Sequence, residues 1–193
     1  MFDLHRHTEF SLFDGHGKAE NLAKVAKENG LTALGISDHG TVSGLIQHYF
    51  ACKEEGIKPI LGCECYYQKE FDQDAKSYHL CLFAKNVQGY RNLNKIVTIA
   101  NKDSFYYHAR VTWDLLEKYH EGLICSTACI ASIFDQRIAN GNVDAAKTEL
   151  KRFKGLFGND FYIEIQPYSI DTETTQQSVN EVLLDLAGKL NIP

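Results

Sequence analysis

No run of apolar residues approaches the roughly 18 that a membrane-spanning helix needs, which excludes a helical membrane protein. No basic segment followed by an apolar stretch opens the chain, so the pattern of a secretion signal is absent. The density of a disulfide scaffold is lacking: the six cysteines (52, 63, 65, 81, 125, 129) sit mostly inside apolar runs. They read as reduced thiols of a cytoplasmic protein. Positive charge is also short. A net charge of −5 argues against broad, non-specific adhesion to DNA phosphates. It does not exclude a nucleic-acid end entering a metal site, because bound ions supply positive charge locally. Internal repeats and low-complexity tracts are missing, and no second domain is visible. What the chain has is apolar side chains, 44% of its 193 residues, enough for one globular domain over residues 1–193 with a large core.

Strand-like and helix-like segments alternate. Met1 to Leu4 reads as a strand, and Lys18 to Asn29 as a helix on Leu22, Val25 and Ala26, with Gly30 as its C′ residue. Strands follow at 32–37, 57–67, 79–84, 122–126 and 161–166, six in all with the first. Helices are expected at 43–55, 87–101, 112–119, 130–139, from Asn142 to about 155–158, and 175–190. Thr112 and Asn142 are the candidate caps of two of them. This alternation predicts an α/β fold with a mostly parallel sheet, in which functional groups gather at the carboxyl ends of strands. Gln68 to Tyr78, eleven mostly polar residues, is too short and lacks the helical spacing for a parallel crossover, so a hairpin-like return is expected there. The final Leu190-Asn191-Ile192-Pro193 resembles the helix-to-strand junctions at 29–32 and 55–59. We expect a further strand after it, and hence a piece of a longer protein.

His5-Arg6-His7 stands at the end of the first strand. Residues i and i+2 of a strand share a face, so the two imidazoles can hold one ion. On its own a His-x-His is an ordinary loop; its company gives it weight. Asp14, His39, Glu64, His79 and Cys129 all fall near strand ends at the same rim, His79 through the hairpin return. Seven donors are too many for one tetrahedral zinc. They suit two or three divalent ions with Glu64 as a bridging carboxylate, and the mix of His, carboxylate and one Cys suits Zn, Mn or Fe. Such multi-metal sites, with ions about 3.5–4 Å apart, hydrolyse phosphoesters by activating a water, so no catalytic side chain beyond the ligands is expected. Plainer readings stand beside these: Asp14 in an ordinary turn, His39 in a capping loop, Cys129 as a buried thiol. Asp38 is a candidate to cap its loop or to orient a histidine. Cys63 and Cys65, flanking Glu64, point to the opposite face and into the core. His16, His48, His108 and His120 read as surface or packing residues, and the pairs Tyr66-Tyr67 and Tyr106-Tyr107 as rim packing.

Three motifs in order, His-x-His-Thr-Glu-Phe-Ser-Leu-Phe-Asp-Gly, Gly-Ile-Ser-Asp-His-Gly and Gly-Ile-Lys-Pro-Ile-Leu-Gly-Cys-Glu, closely resemble the PHP (polymerase and histidinol phosphatase) domain of bacterial replicative DNA polymerase III alpha subunits. The likeness continues through Tyr78-His79-Leu80, 86–93, 117–124 and 161–166. It implies a distorted (β/α)7 TIM-like barrel with up to three metals at one end. His5 and His7 match ligands of a first ion that Glu64 bridges to a second, His79 and Cys129 complete the second, and Asp14 and His39 match a third. The family pattern adds an Asp-x-His on a strand after the last helix, beyond Pro193. The resemblance implies a 3′–5′ exonuclease acting on single-stranded DNA ends, beside the rest of a polymerase chain. Two alternatives stay open: a metal-stabilised scaffold that docks a separate exonuclease subunit, as in family members that have lost ligands, and a small-molecule phosphoesterase. Residues 59–64 and 86–93 look like the polymerase branch.

Overall fold

The computed structural model describes residues 2–12, 14–166 and 174–193. Met1 of the expected first strand and Phe13 of the Asp14 turn lie outside them. The described residues form eight strands: β1 (Phe2–Asp3), β2 (Ala33–Ile36), β3 (Lys58–Gln68), β4 (Tyr78–Ala84), β5 (Phe105–Tyr106), β6 (His108–Thr112), β7 (Leu123–Ser126) and β8 (Phe161–Tyr162). Seven α-helices run between and after them: α1 (Ala19–Glu28), α2 (Leu45–Glu54), α3 (Val87–Asp103), α4 (Trp113–Tyr119), α5 (Ile133–Ala139), α6 (Val143–Phe157) and α7 (Thr174–Leu190).

The main sheet is ordered β1-β2-β3-β4-β7-β8, and β6 pairs with the far end of β3. Neighbours run parallel except around β4, which is antiparallel to both β3 and β7. The return after Gln68 is therefore the hairpin its length demanded, and it sets His79 at the rim where β3 is ending. The side chain of Gln68 ties this connection, donating to the carbonyls of Asp72 and Ala75 at 2.9 and 2.8 Å.

Two strand expectations need correction. The hairpin β5–β6 was missed because it turns at Tyr107, whose φ of 57° is left-handed without a Gly or Asn to announce it. The strand expected at 161–166 stops at Tyr162. The next two amides are taken elsewhere: Ile163 N donates to Pro193 O at 2.8 Å, and Glu164 N to Thr127 Oγ1 at 2.9 Å. Among the helix caps, Asn142 accepts from Ala145 N as expected, whereas Thr112 occupies its N-cap position without a side-chain bond.

The larger core lies where α3, α5, α6 and α7 cover the sheet, centred on Tyr67, Phe134, Phe153 and Phe161. Leu93, Ile96, Val97 and Ala100 of α3 are all buried, as their spacing predicts. A fully buried Leu or Ile is worth roughly 1.5–3 kcal/mol. A smaller core packs Ala19, Ala23 and Ala26 of α1 against Leu34, Ala51 and Cys52. The sheet path ends at β1 on one side and β8 on the other. Between them opens a cleft of about 1450 Å³, lined by Leu4, Val25, Ile60, Phe83, Ile163 and Ile165 among others. Among the described residues no helix is long and apolar enough to cross a membrane.

Candidate metal centre

Glu64 sits in the middle of β3, 1% exposed, with its backbone paired on both edges. On one side it faces Cys81 of β4. On the other, the loop after β2 extends the ladder: Glu64 N donates to Asp38 O at 3.1 Å and Gly40 N to Glu64 O at 2.8 Å. Gly40, at φ +62°, then turns that loop away. The alternation of β3 sends Cys63 and Cys65 to the opposite, fully packed face, as expected.

The structure brings all seven sequence-predicted residues together around this carboxylate. Oε1 lies 3.2 Å from His5 Nε2, 2.8 Å from His79 Nδ1 and 3.5 Å from Cys129 Sγ. Oε2 lies 3.4 Å from His7 Nε2 and 2.9 Å from His39 Nδ1. Asp14, half exposed in its turn, reaches the far nitrogen of His39 at 2.9 Å. Cys129 Sγ is also 3.3 Å from His79 Nδ1. The preceding residue, Ala128, has a left-handed φ of 59°, an uncommon conformation for a side-chain-bearing residue and one concentrated at functional sites. The Cys129 loop is pinned to the start of β4 by His79 N, which donates to Ala131 O at 3.1 Å.

Electrostatically the centre is one anion ringed by bases. Burial alone would raise the Glu64 pKa, but His39, His5 and His79 hold it well below the usual carboxylate range. Burial, with Glu64 beside it, pushes the Cys129 thiol up to about 12. His39 is pulled down by burial and raised more strongly by Glu64 and Asp14. The contact between His39 Nδ1 and Glu64 Oε2 is short but misaligned. Both atoms, and His7 Nδ1, are buried without a hydrogen-bond partner among the described residues. Buried polar atoms left this way are costly, and a cation among them removes the cost. Three triplets of these seven residues bring donor atoms close enough to share an ion: His5-His7-Glu64, His7-Asp14-His39 and His39-Glu64-His79. The donor set therefore fits divalent metals.

Asp38 does not orient a histidine. Its buried carboxylate accepts from Thr8 N, Thr8 Oγ1 and Ser11 Oγ at 2.6, 2.8 and 3.0 Å, fastening the loop after β1 to the end of β2. Two residues near the centre were missed. Glu164, just past β8, has Oε1 2.5 Å from His5 Nδ1, and Cys81 Sγ lies 3.6 Å from the same nitrogen. Period-2 alternation was the available signal for Cys81, since it shares a face of β4 with His79. Glu164 falls at a strand's carboxyl end, the position that singled out the others. The remaining histidines pack or face solvent. His48 is buried against Leu34 O, His16 is exposed, His120 is half-buried edge-on to Phe157, and His108 stacks on Tyr66 with ring centres 4.2 Å apart.

Comparison with known proteins agrees with this geometry. The profile of the PHP domain matches residues 3–168. The chain is 41% identical, over 98% of its length, to the DNA polymerase III subunit alpha of Borreliella burgdorferi, and equally so to that of Aquifex aeolicus. In each case it spans 17% of the relative's length. Among solved structures, a protein assigned as a metal-dependent phosphoesterase from Bifidobacterium adolescentis superposes with a TM-score of 0.57 over 99% of this chain and 84% of its own, at 16% identity. That likeness supports a distorted TIM-like barrel as the fold. Profile, relatives and architecture agree, and the chain belongs to the PHP domain family.

Proposed function

We propose that this chain is the PHP domain of a DNA polymerase III alpha-like replicase and hydrolyses phosphodiesters at single-stranded 3′ ends of DNA. In this reading His5, His7, Asp14, His39, Glu64, His79 and Cys129 hold two to three divalent ions, Zn, Mn or Fe. One observation carries it: the two oxygens of Glu64 serve different donors, Oε1 turning to His5, His79 and Cys129 and Oε2 to His7 and His39. That division would give each of two ions a carboxylate oxygen, although it sets His5 beside His79 and Cys129 and not beside His7, with which the resemblance pairs it. Bound in pairs, divalent ions polarise a phosphoryl oxygen, neutralise its charge and acidify a coordinated water.

The protein's own part is arrangement. Glu64 stays ionised because three imidazoles face it. Asp14 and Glu64 clasp the two nitrogens of His39 between them. The Asp38 clamp fixes the spacing of the His5-His7 loop from the His39 loop. Tyr66 lies flat beside His39, ring centres 5.8 Å apart, and walls the rim. The polymerase regions, a cytoplasmic setting and DNA as partner belong to the same proposal.

The test is nucleotide release from 3′-labelled single-stranded DNA with added Mn or Zn, in a protein extended past Pro193. We expect metal-dependent release that His7→Ala and Glu64→Ala abolish. Absence of release, or release unchanged by either substitution, refutes the reading. Turnover of small phosphomonoesters but not DNA would replace it with the small-molecule alternative.

A further inference from the structure

An imidazole can give a metal only the nitrogen that carries no proton, so whatever binds the other nitrogen decides which one is offered. The two nitrogens of His5 face two different carboxylates. Nε2 is 3.2 Å from Glu64 Oε1, inside the cluster. Nδ1 is 2.5 Å from Glu164 Oε1, outside it. A separation that short between ring nitrogen and carboxylate oxygen requires a proton between them.

Glu164 is held for this task from three directions. Its Oε2 accepts from Ser126 Oγ at 2.7 Å, at the end of β7. Its Oε1 accepts from Gln166 Nε2 at 3.1 Å. Its backbone N donates to Thr127 Oγ1 at 2.9 Å. The same Gln166 nitrogen lies 3.3 Å from His5 Nδ1, so with the proton on Nδ1 it serves the carboxylate instead. Cys81, fully buried, packs against the ring, its Sγ 3.6 and 3.7 Å from the two nitrogens. Cys81 is paired in the sheet with Glu64 on one side and Ser126 on the other, so one rung of the ladder fixes both ends of the arrangement. His7 has no counterpart to this: its outer nitrogen is buried without a hydrogen-bond partner among the described residues.

We propose that Glu164 is a positioning residue that accepts the hydrogen bond of His5 Nδ1–H and so commits Nε2, bare, to a divalent ion that Glu64 would also hold. The inference rests on the cluster's binding divalent ions and is independent of whether DNA is its substrate. Carboxylates behind a ligating histidine fix its tautomer and ring orientation, and their loss typically costs about 10–100-fold in metal affinity.

The experiment uses the whole 193-residue chain with zinc added, its histidines labelled with 15N. Long-range 1H–15N correlation reads each ring's tautomer, with His5 assigned from the spectrum of His5→Gln. We expect His5 protonated at Nδ1 and zinc-bound at Nε2. Glu164→Ala should lose that signature and raise the zinc dissociation constant about 10–100-fold. Glu164→Gln keeps the shape and one acceptor oxygen, so it should fold, retain Nδ1–H and lose less affinity. If Glu164→Ala does not fold, the Gln variant and the native spectrum decide. Zinc on Nδ1 of native His5 overturns the proposal. So does an unchanged tautomer and affinity in Glu164→Ala, and so does a Gln variant as damaged as Ala. Zinc bound through Nε2, with no DNA hydrolysis by the protein extended past Pro193, leaves this inference standing and removes the nuclease reading; hydrolysis by that protein with zinc on Nδ1 does the reverse.

Discussion

Thr8 and Asp38 are joined twice, the Thr8 amide to Oδ1 at 2.6 Å and its hydroxyl to Oδ2 at 2.8 Å. Both residues are about 1% exposed, and between them they lock the loop bearing His5 and His7 to the loop bearing His39. Ser11 joins the same carboxylate and in turn accepts from His39 N at 3.1 Å.

Asp38→Asn should break this clamp. The amide keeps one acceptor and turns a donor towards a group that is itself donating. A buried donor left facing a donor costs about 1–3 kcal/mol. We expect the unfolding free energy to fall by that amount, seen as a lower urea midpoint at unchanged slope, and zinc affinity to fall with it as His7 and His39 lose their spacing. A stability equal to native with unaltered zinc binding would contradict the role given to Asp38.

Zinc should stabilise the fold, and its removal should expose how much the cluster depends on it. At 100 times the dissociation constant a ligand that binds only the folded state adds about 2.7 kcal/mol, or about 5–11 °C in Tm for a chain of this size. Thermal melting with zinc and with chelator should show that gap in the native chain. In Glu64→Gln it should vanish, since both sets of donors lose their common anion. A melting curve indifferent to zinc, or an unaffected gap in Glu64→Gln, is the contrary result.

A separate pH effect is expected at Asp135, 1% exposed at the start of α5. Burial pushes its carboxyl up to about 7 from an ordinary 3.8, against the hydrogen bonds from Ser132 and Gln176 that pull it down. The folded state therefore prefers the protonated form. The sign follows: this group's contribution to stability is complete below about 3.8 and is lost as pH rises through about 7. Asp135→Asn, a mimic of the neutral acid, should match native stability near pH 4 and exceed it above pH 7. One unit of separation is worth about 1.4 kcal/mol, so a gain of roughly 1 kcal/mol or more is expected. Tm measured against pH in chelator checks it, and parallel curves for the two proteins would dispose of it.

Much of the fold was legible because the hydrophobic spacing of α3, α6 and α7 is regular and because eleven residues cannot make a parallel crossover from Gln68 to Tyr78. The site was legible because most of its donors gather just past strand ends, around Glu64 within β3 and His79 at the start of β4. What escaped notice did so for local reasons. Tyr107 turns a hairpin in a conformation its residue type does not advertise. Ile163 and Glu164 spend their amides on Pro193 and Thr127, partners far away in sequence, so their alternation does not become a ladder. Cys81 was hidden inside an apolar run where only the register with Glu64 gives it a meaning. Asp38, next to a candidate ligand, was assigned to a histidine, whereas its true partners are the hydroxyls and amide of the loop thirty residues earlier.

That five side chains answer to the one carboxylate of Glu64 has a consequence for genetics as well as chemistry. Substitutions at residues that share a partner do not add. On the proposed reading, with Glu64 present, replacing His5 or His79 would remove one ligand from a shared set. Once Glu64 is gone, neither replacement has much left to damage. Losses measured one residue at a time will therefore sum to more than the loss of the whole cluster, and Glu64 is the background in which that excess disappears.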